Sequence, residues 1–197
     1  MNLQKLNIMK KCYVIITPCS RFESVFFYNL KRKAIIVSRL DIGNYQKYRK
    51  ESLEKENIII PEAKRELIPN DLLKNILSKE IGLISSAKNL FLSNLNCTPE
   101  GVDIILEILR KNGYAPPKIL FSEMERDYLI NKKTISLIDN DKRNYSKDLM
   151  QEYMHELDRR IILNKVLLQR FRNKNLEEQI MADSSHVLEI TLELCHK

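Results

Sequence analysis

Residues 12–40 read CYVIITPCSRFESVFFYNLKRKAIIVSRL, and the reading of this stretch decides the fold. Cys12–Thr17 is rich in β-branched and aromatic residues and stops at Pro18, which predicts a strand. Ser24–Leu30 (SVFFYNL) and Ala34–Leu40 (AIIVSRL) are two apolar runs flanking Lys31-Arg32-Lys33. Such a pair joined by a short polar connection predicts a β-hairpin. Its connection holds no glycine, the residue that tight two-residue turns favour. Three adjacent cations are costly to bury, which puts Lys31, Arg32 and Lys33 exposed at the hairpin tip.

Working outward, Asn57–Ile60 before Pro61 is a further short strand, and the charged segment Tyr45–Glu56 between is helical. Helices dominate the middle. Asn70 or Asp71 opens one whose apolar positions Leu73, Leu77, Ile81, Ile84, Phe91 and Leu95 recur at helical spacing, with Gly82 as its weak point. Thr98-Pro99-Glu100 supplies a cap, a proline at the first helical position and an early acid. That helix buries Val102, Ile105, Leu106 and Leu109 and stops at Gly113, before Pro116-Pro117. Ser122 with Glu125 forms a capping box for a short helix, and Thr134–Ile138 reads as a strand. Ser146–Phe171 is a long helix with Met150, Tyr153, Leu157, Ile161 and Leu168 inward. In the tail, Leu188, Ile190, Leu192 and Leu194 alternate with polar residues, the period of a closing strand. The fold class is therefore α/β, or α+β: a β-rich N-terminal third with a hairpin, a mostly helical remainder and a closing C-terminal strand. With no repeat or Ser/Gly-rich linker, residues 1–197 form one domain.

The charge is divided along the chain. Residues 1–60 hold twelve Lys/Arg against five Asp/Glu, whereas residues 61–197 hold twenty-one of each. The whole excess of +7 lies in the basic N-terminal part. Such asymmetry suits an acidic protein surface, a nucleic acid or an anionic lipid. The longest charge-free stretch, Asn89–Pro99, is polar in part, so no transmembrane segment is expected. The apolar run after Lys5, Lys10 and Lys11 is too short for a secretory signal. Cys12, Cys19, Cys97 and Cys195 form no CxxC or Cys/His spacing and read as buried thiols of a cytoplasmic protein.

Chemical motifs are missing. The four glycines, Gly43, Gly82, Gly101 and Gly113, form no cluster, so neither a P-loop nor a dinucleotide fingerprint can be built. His155-Glu156 opens a zinc-protease pattern, but Arg159 stands where the second histidine belongs. Asp139-Asn140-Asp141 begins like a calcium loop and fails at Arg143, Asn144 and Met150. Glu177 and Glu178 read as first-turn acids of a helix after Asn175. No catalytic, metal or cofactor-binding residue is expected, and the chain is predicted not to be an enzyme. Asp41 is the one acid near the end of a predicted strand. The candidate partner-binding residues are basic and interleaved with aromatics: Lys31, Arg32 and Lys33 beside Phe26, Phe27 and Tyr28, then Lys47, Arg49 and Lys50 beside Tyr45 and Tyr48. Such interleaving would also suit nucleic-acid binding. Arg170, Arg172 and Lys174 suit a helix C-terminus, and Arg160 with Glu156 reads as a surface pair.

CYVIITP, VFFYNLKRKAIIVSRLDI as second and third strands, and PEGVDIILEILRKNGYAPPKIL as helix, glycine and returning strand resemble ribonuclease-H/actin-like folds. Within that group the likeness is to cytosolic domains of type IV pilus and type II secretion assembly proteins. Pro69–Asn96 resembles cytosolic accessory proteins of type III secretion. Thr17-Pro18-Cys19-Ser20 stands where an actin-like site has its first-strand Asp and Gly. The resemblance thus implies a non-catalytic cytosolic scaffold or adaptor of a bacterial envelope machine. It would dock protein partners and lie in the cytoplasm, near the inner membrane through those partners. A basic nucleic-acid-binding regulator is the alternative.

Overall fold

A computed structural model describes residues 10–18, 20–32, 38–42, 67–84, 89–122, 124–131, 133 and 147–180. In chain order the elements are β1 (Lys11–Ile16), α1 (Ser20–Arg32), β2 (Ser38–Asp41), α2 (Asn70–Leu83) and β3 (Asn89–Ser93). There follow α3 (Pro99–Lys111), β4 (Lys118–Phe121), a short helix α4 (residues 126–131), α5 (Lys147–Arg172) and β5 (Glu178–Ile180). The strands form one sheet in the order β2-β3-β1-β4-β5, and among the described residues every pairing is parallel. Val14, at the centre, lies level with Leu92 on one side and Ile119 on the other.

The apolar runs that read as strands without polar alternation are buried on both faces, as a parallel sheet requires. On one face Cys12, Val14, Ile16, Leu90, Leu92, Ile119 and Phe121 pack with Leu73 and Leu77 of α2, Val102 and Ile105 of α3, and Leu168 and Phe171 of α5. On the other, Tyr13, Ile15, Phe91 and Leu120 pack with Phe26 and Leu30 of α1. Successive strand residues point to opposite faces, which divides each run between the two layers. The helix placement follows from handedness. β1 to β2 moves one way along the sheet and the later connections move the other, so right-handed crossovers put α1 on the face opposite α2, α3 and α5.

The hairpin is absent, because Ser24–Leu30 belongs to α1. Glu23, Phe26, Phe27 and Leu30 recur at spacings of three and four. Phe26 and Leu30 are buried, whereas Tyr28 is 61% exposed. Glu23 in the first turn and Lys31 and Arg32 in the last complement the helix dipole. Lys31 and Arg32 are exposed, but at a helix end, where the Arg32 guanidinium lies 6.0 Å from the Tyr28 ring centroid. The helix expected from Asn70 through Leu95 ends at Leu83, and Phe91 sits in β3. Thr98 caps α3 by accepting from the Gly101 amide at 3.3 Å, and Gly113 has φ 76° just past its end. Gly101 is tightly packed: a Cβ there would lie 2.9 Å from Cys97 Cβ and Leu73 Cδ2. Ser122 does not cap α4, which starts only at residue 126, and its buried hydroxyl has no partner among the described residues. Glu177 and Glu178 lie at the start of β5 and not on a helix, with Glu178 paired to Arg172.

The α/β class, the helical remainder and a closing C-terminal strand stand. That strand is Glu178–Ile180, paired to β4, earlier in the chain than the Leu188–Leu194 segment expected to supply it. Lys33, Lys47, Arg49 and Lys50 lie outside the described residues, as do the Asn57–Ile60, Thr134–Ile138 and Leu188–Leu194 strands and the Tyr45–Glu56 helix. An all-parallel sheet of this order also removes the basis of the actin-like resemblance, which needed the second and third strands as consecutive hairpin partners.

Candidate active site at the carboxyl edge of the sheet

Chain direction positions the site. After β1 the chain leaves into α1 on one face, and after the neighbouring β3 it leaves into α3 on the other. Where adjacent parallel strands send their connections to opposite faces, a crevice opens at their carboxyl ends, the usual ligand position in open α/β sheets. Here that crevice is lined by Ile15, Ile16 and Thr17 after β1, by Asn94, Leu95 and Asn96 after β3, and by Arg159, Arg160, Leu163 and Asn164 of α5. Its cavity volume is small, about 20 Å³, and it opens to solvent.

α5 reaches this edge because of its length. Its 26 residues span about 39 Å, about twice the length of the longest strand, the six-residue β1. Arg159 meets Asn96 just beyond β3, so Lys147–Asp158 runs on past the carboxyl edge as a wall. Arg126 of α4 braces that wall, its Nη2 donating to Asp158 Oδ2 at 3.0 Å.

One carboxylate lies between two guanidinium groups on this wall. Glu156 Oε2 accepts from Arg159 Nε at 3.0 Å, and Oε1 accepts from Arg159 Nη2 at 3.0 Å and Arg160 Nε at 2.9 Å. Arg159 Nη1 also donates to Asn96 Oδ1 at 3.1 Å. Burial would raise the Glu156 pKa, but the hydrogen bonds from Arg159 and Arg160 outweigh it and hold the carboxyl below its ordinary value. Two cations and one anion leave an excess positive charge facing the crevice. The Asn164 Nδ2 group, also lining it, is buried with no hydrogen-bond partner among the described residues.

A second polar group lies at the same edge, beneath α1. Glu23, 5% exposed, accepts from Arg39 Nη2 at 2.9 Å, and the Ser93 hydroxyl also bonds its carboxylate. Arg39 Nε donates to Ser93 Oγ at 3.3 Å, and its guanidinium lies 4.4 Å from the Phe27 ring centroid. Asp41 closes β2, 3.4 Å from Arg39, and accepts from Asn94 Nδ2 at 3.0 Å. Asn94 takes φ 52°, a left-handed conformation that asparagine tolerates, and this turns the chain between Asp41 and the crevice. Burial raises the Glu23 pKa, opposed by the charge of Arg39 and reinforced by that of Asp41.

Asp41, the acid foreseen near a strand end, is in this cluster. The basic candidates Lys31 and Arg32 are not, since they lie at the far end of α1. Arg159 and Arg160, read from sequence as a failed zinc position and a surface pair, line the crevice. Among the described residues no group of three or more His, Cys, Asp or Glu is arranged to hold a metal ion. No described helix is long and apolar enough to cross a membrane.

No known protein family and no curated protein matches the chain in sequence. Among solved structures, it is similar to a de novo designed protein of P-loop NTPase fold, at 12% identity and TM-score 0.47, over 96% of this chain and 93% of that one. It is similar to shikimate kinase from Bacteroides thetaiotaomicron at 12% identity and TM-score 0.46, over 95% and 97%. A gluconokinase from Sinorhizobium meliloti 1021 aligns at 11% identity and TM-score 0.38, over 84% and 93%. These are P-loop-fold proteins and kinases, not actin-like domains. The resemblance to pilus and secretion assembly proteins fails on the parallel sheet, which does not contain the hairpin it needed, and is withdrawn; the non-catalytic scaffold, the nucleic-acid alternative and the expectation that the chain is not an enzyme are withdrawn with it. The connection between β1 and α1, Thr17-Pro18-Cys19, nevertheless lacks the glycines and the lysine of a P-loop.

Proposed function

We propose that this chain binds a small phosphate-bearing molecule in the carboxyl-edge crevice and acts on it as an enzyme. The observation that carries the reading is the convergence of Arg159 and Arg160 on a crevice beside the central strand, with one carboxylate for two guanidiniums. Arginine forks match phosphate oxygens in geometry as well as charge. The unpaired Asn164 amide adds a neutral donor. With no glycine loop after β1, side chains of α5 take the part that backbone amides play in a phosphate loop. The enzymatic part is supported by Glu23, a buried carboxyl of raised pKa at the same edge, since perturbed acids beside a concave site mark active sites. Buried thiols at Cys12 and Cys97 support a cytoplasmic location.

Calorimetric titration with inorganic phosphate and phenyl phosphate tests the binding. Arg159→Ala and Arg160→Ala should each weaken it about tenfold or more, equivalent to about 1.4 kcal/mol. Lys31→Ala and Arg32→Ala should leave it unchanged. Equal loss on removing Lys31 or Arg32 would reduce the binding to bulk charge and overturn the reading.

A further inference from the structure

The arrangement at Glu156 has a consequence for how the crevice takes its ligand. A carboxylate that receives two hydrogen bonds from one arginine and a third from another is bonded as a phosphate group would be. It is 25% exposed, and its partners belong to its own helix at i+3 and i+4. Such contacts need no tertiary change to break. Arg159 has a second anchor in Asn96, which keeps its guanidinium against the β3–α3 connection when the carboxylate leaves. For Arg160, Glu156 is the carboxylate partner in the ion pairs of the described residues.

We infer that Glu156 is an internal competitor, a carboxylate that engages the two guanidiniums lining the crevice and must release them for a phosphate group to bind. The inference rests on the reading of the crevice as a phosphate site and adds its regulation. Glu156 sets the affinity: it lowers it overall and rejects weak, singly charged anions, because only a ligand of higher charge offsets the loss of three hydrogen bonds. A carboxylate in this position also keeps two neighbouring guanidiniums from repelling each other while the site is empty.

The test measures inorganic phosphate and chloride binding to the full chain and to Glu156→Gln, by calorimetry and by competition. The variant keeps the shape and loses the charge. It should bind inorganic phosphate about tenfold more tightly, and chloride should become an effective competitor. Combining it with Arg160→Ala should abolish the gain. Glu156→Asp, one methylene shorter, cannot span both arginines and should shift affinity in the same direction by less. It also serves if the glutamine variant melts early. If phosphate binds the parent chain and depends on Arg159, yet neither Glu156 variant binds it more tightly, the competitor role is overturned and the phosphate site stands. If neither the parent nor any variant binds phosphate, both fall.

Discussion

At Glu23 electrostatics and burial act against each other. Its carboxyl is almost wholly buried, and Arg39, which pairs with it, is itself partly open to solvent. Removing Arg39 would strand a buried acceptor, so Arg39→Ala should cost about 1–3 kcal/mol in urea unfolding. In a Glu23→Gln background the same change should cost less. The pH dependence has a definite sign. A carboxyl whose pKa is raised on folding contributes stability that is complete below its unfolded pKa and is lost as pH rises through the folded value. Glu23→Gln does not titrate, so it should gain stability relative to the parent chain as pH rises above the ordinary glutamate value of about 4.3. A relative loss over that range would mean that the pair with Arg39 outweighs burial and that Glu23 is held as a full anion. The two arginines of the crevice were hidden at this scale. Glu156, Arg159 and Arg160 look in sequence like any exposed helical charge cluster. Only the tertiary course of α5 brings them to the strand ends.

At the scale of elements, the bounds of α3 were legible, because Thr98, Pro99 and Gly113 are local signals that packing had no reason to override, although Ile108 is buried in the place expected of Leu106, which is only partly buried. α1 was not. Val25, Phe26, Phe27 and Tyr28 have high strand propensity, yet the helix forms because Phe26 and Leu30 fall on one stripe against Tyr13, Ile15 and Phe91. The Phe26 ring lies 5.4 Å from that of Phe91, and Tyr13 stacks on Phe91 at 4.7 Å. β3 was missed for the opposite reason: Phe91 and Leu95 happened to continue the helical spacing of α2. A pair of substitutions separates helix from hairpin for residues 24–30. On a strand Phe26 and Tyr28 would share a face; on the helix they do not. Phe26→Ala should cost about 3–5 kcal/mol and Tyr28→Ala no more than about 0.5 kcal/mol, by chemical denaturation. Equal costs would restore the strand.

For the molecule as a whole, the topology carries the functional conclusion. A parallel sheet of order β2-β3-β1-β4-β5 divides its connections on the two sides of β1, and the crevice follows from that division. The basic N-terminal excess drew the sequence reading toward Lys31, Arg32 and Lys33. The balanced remainder, residues 61–197, supplies Arg159 and Arg160. Net charge locates a general attraction, whereas a site depends on where the fold focuses a few charges in a concave, partly desolvated place. The measurement that tests this most directly is a backbone amide NMR titration with inorganic phosphate at constant ionic strength. Shifts should be confined to Thr17, Asn94–Asn96 and Arg159–Asn164, and should saturate. Shifts centred on Lys31 and Arg32, or none that saturate, would contradict the account.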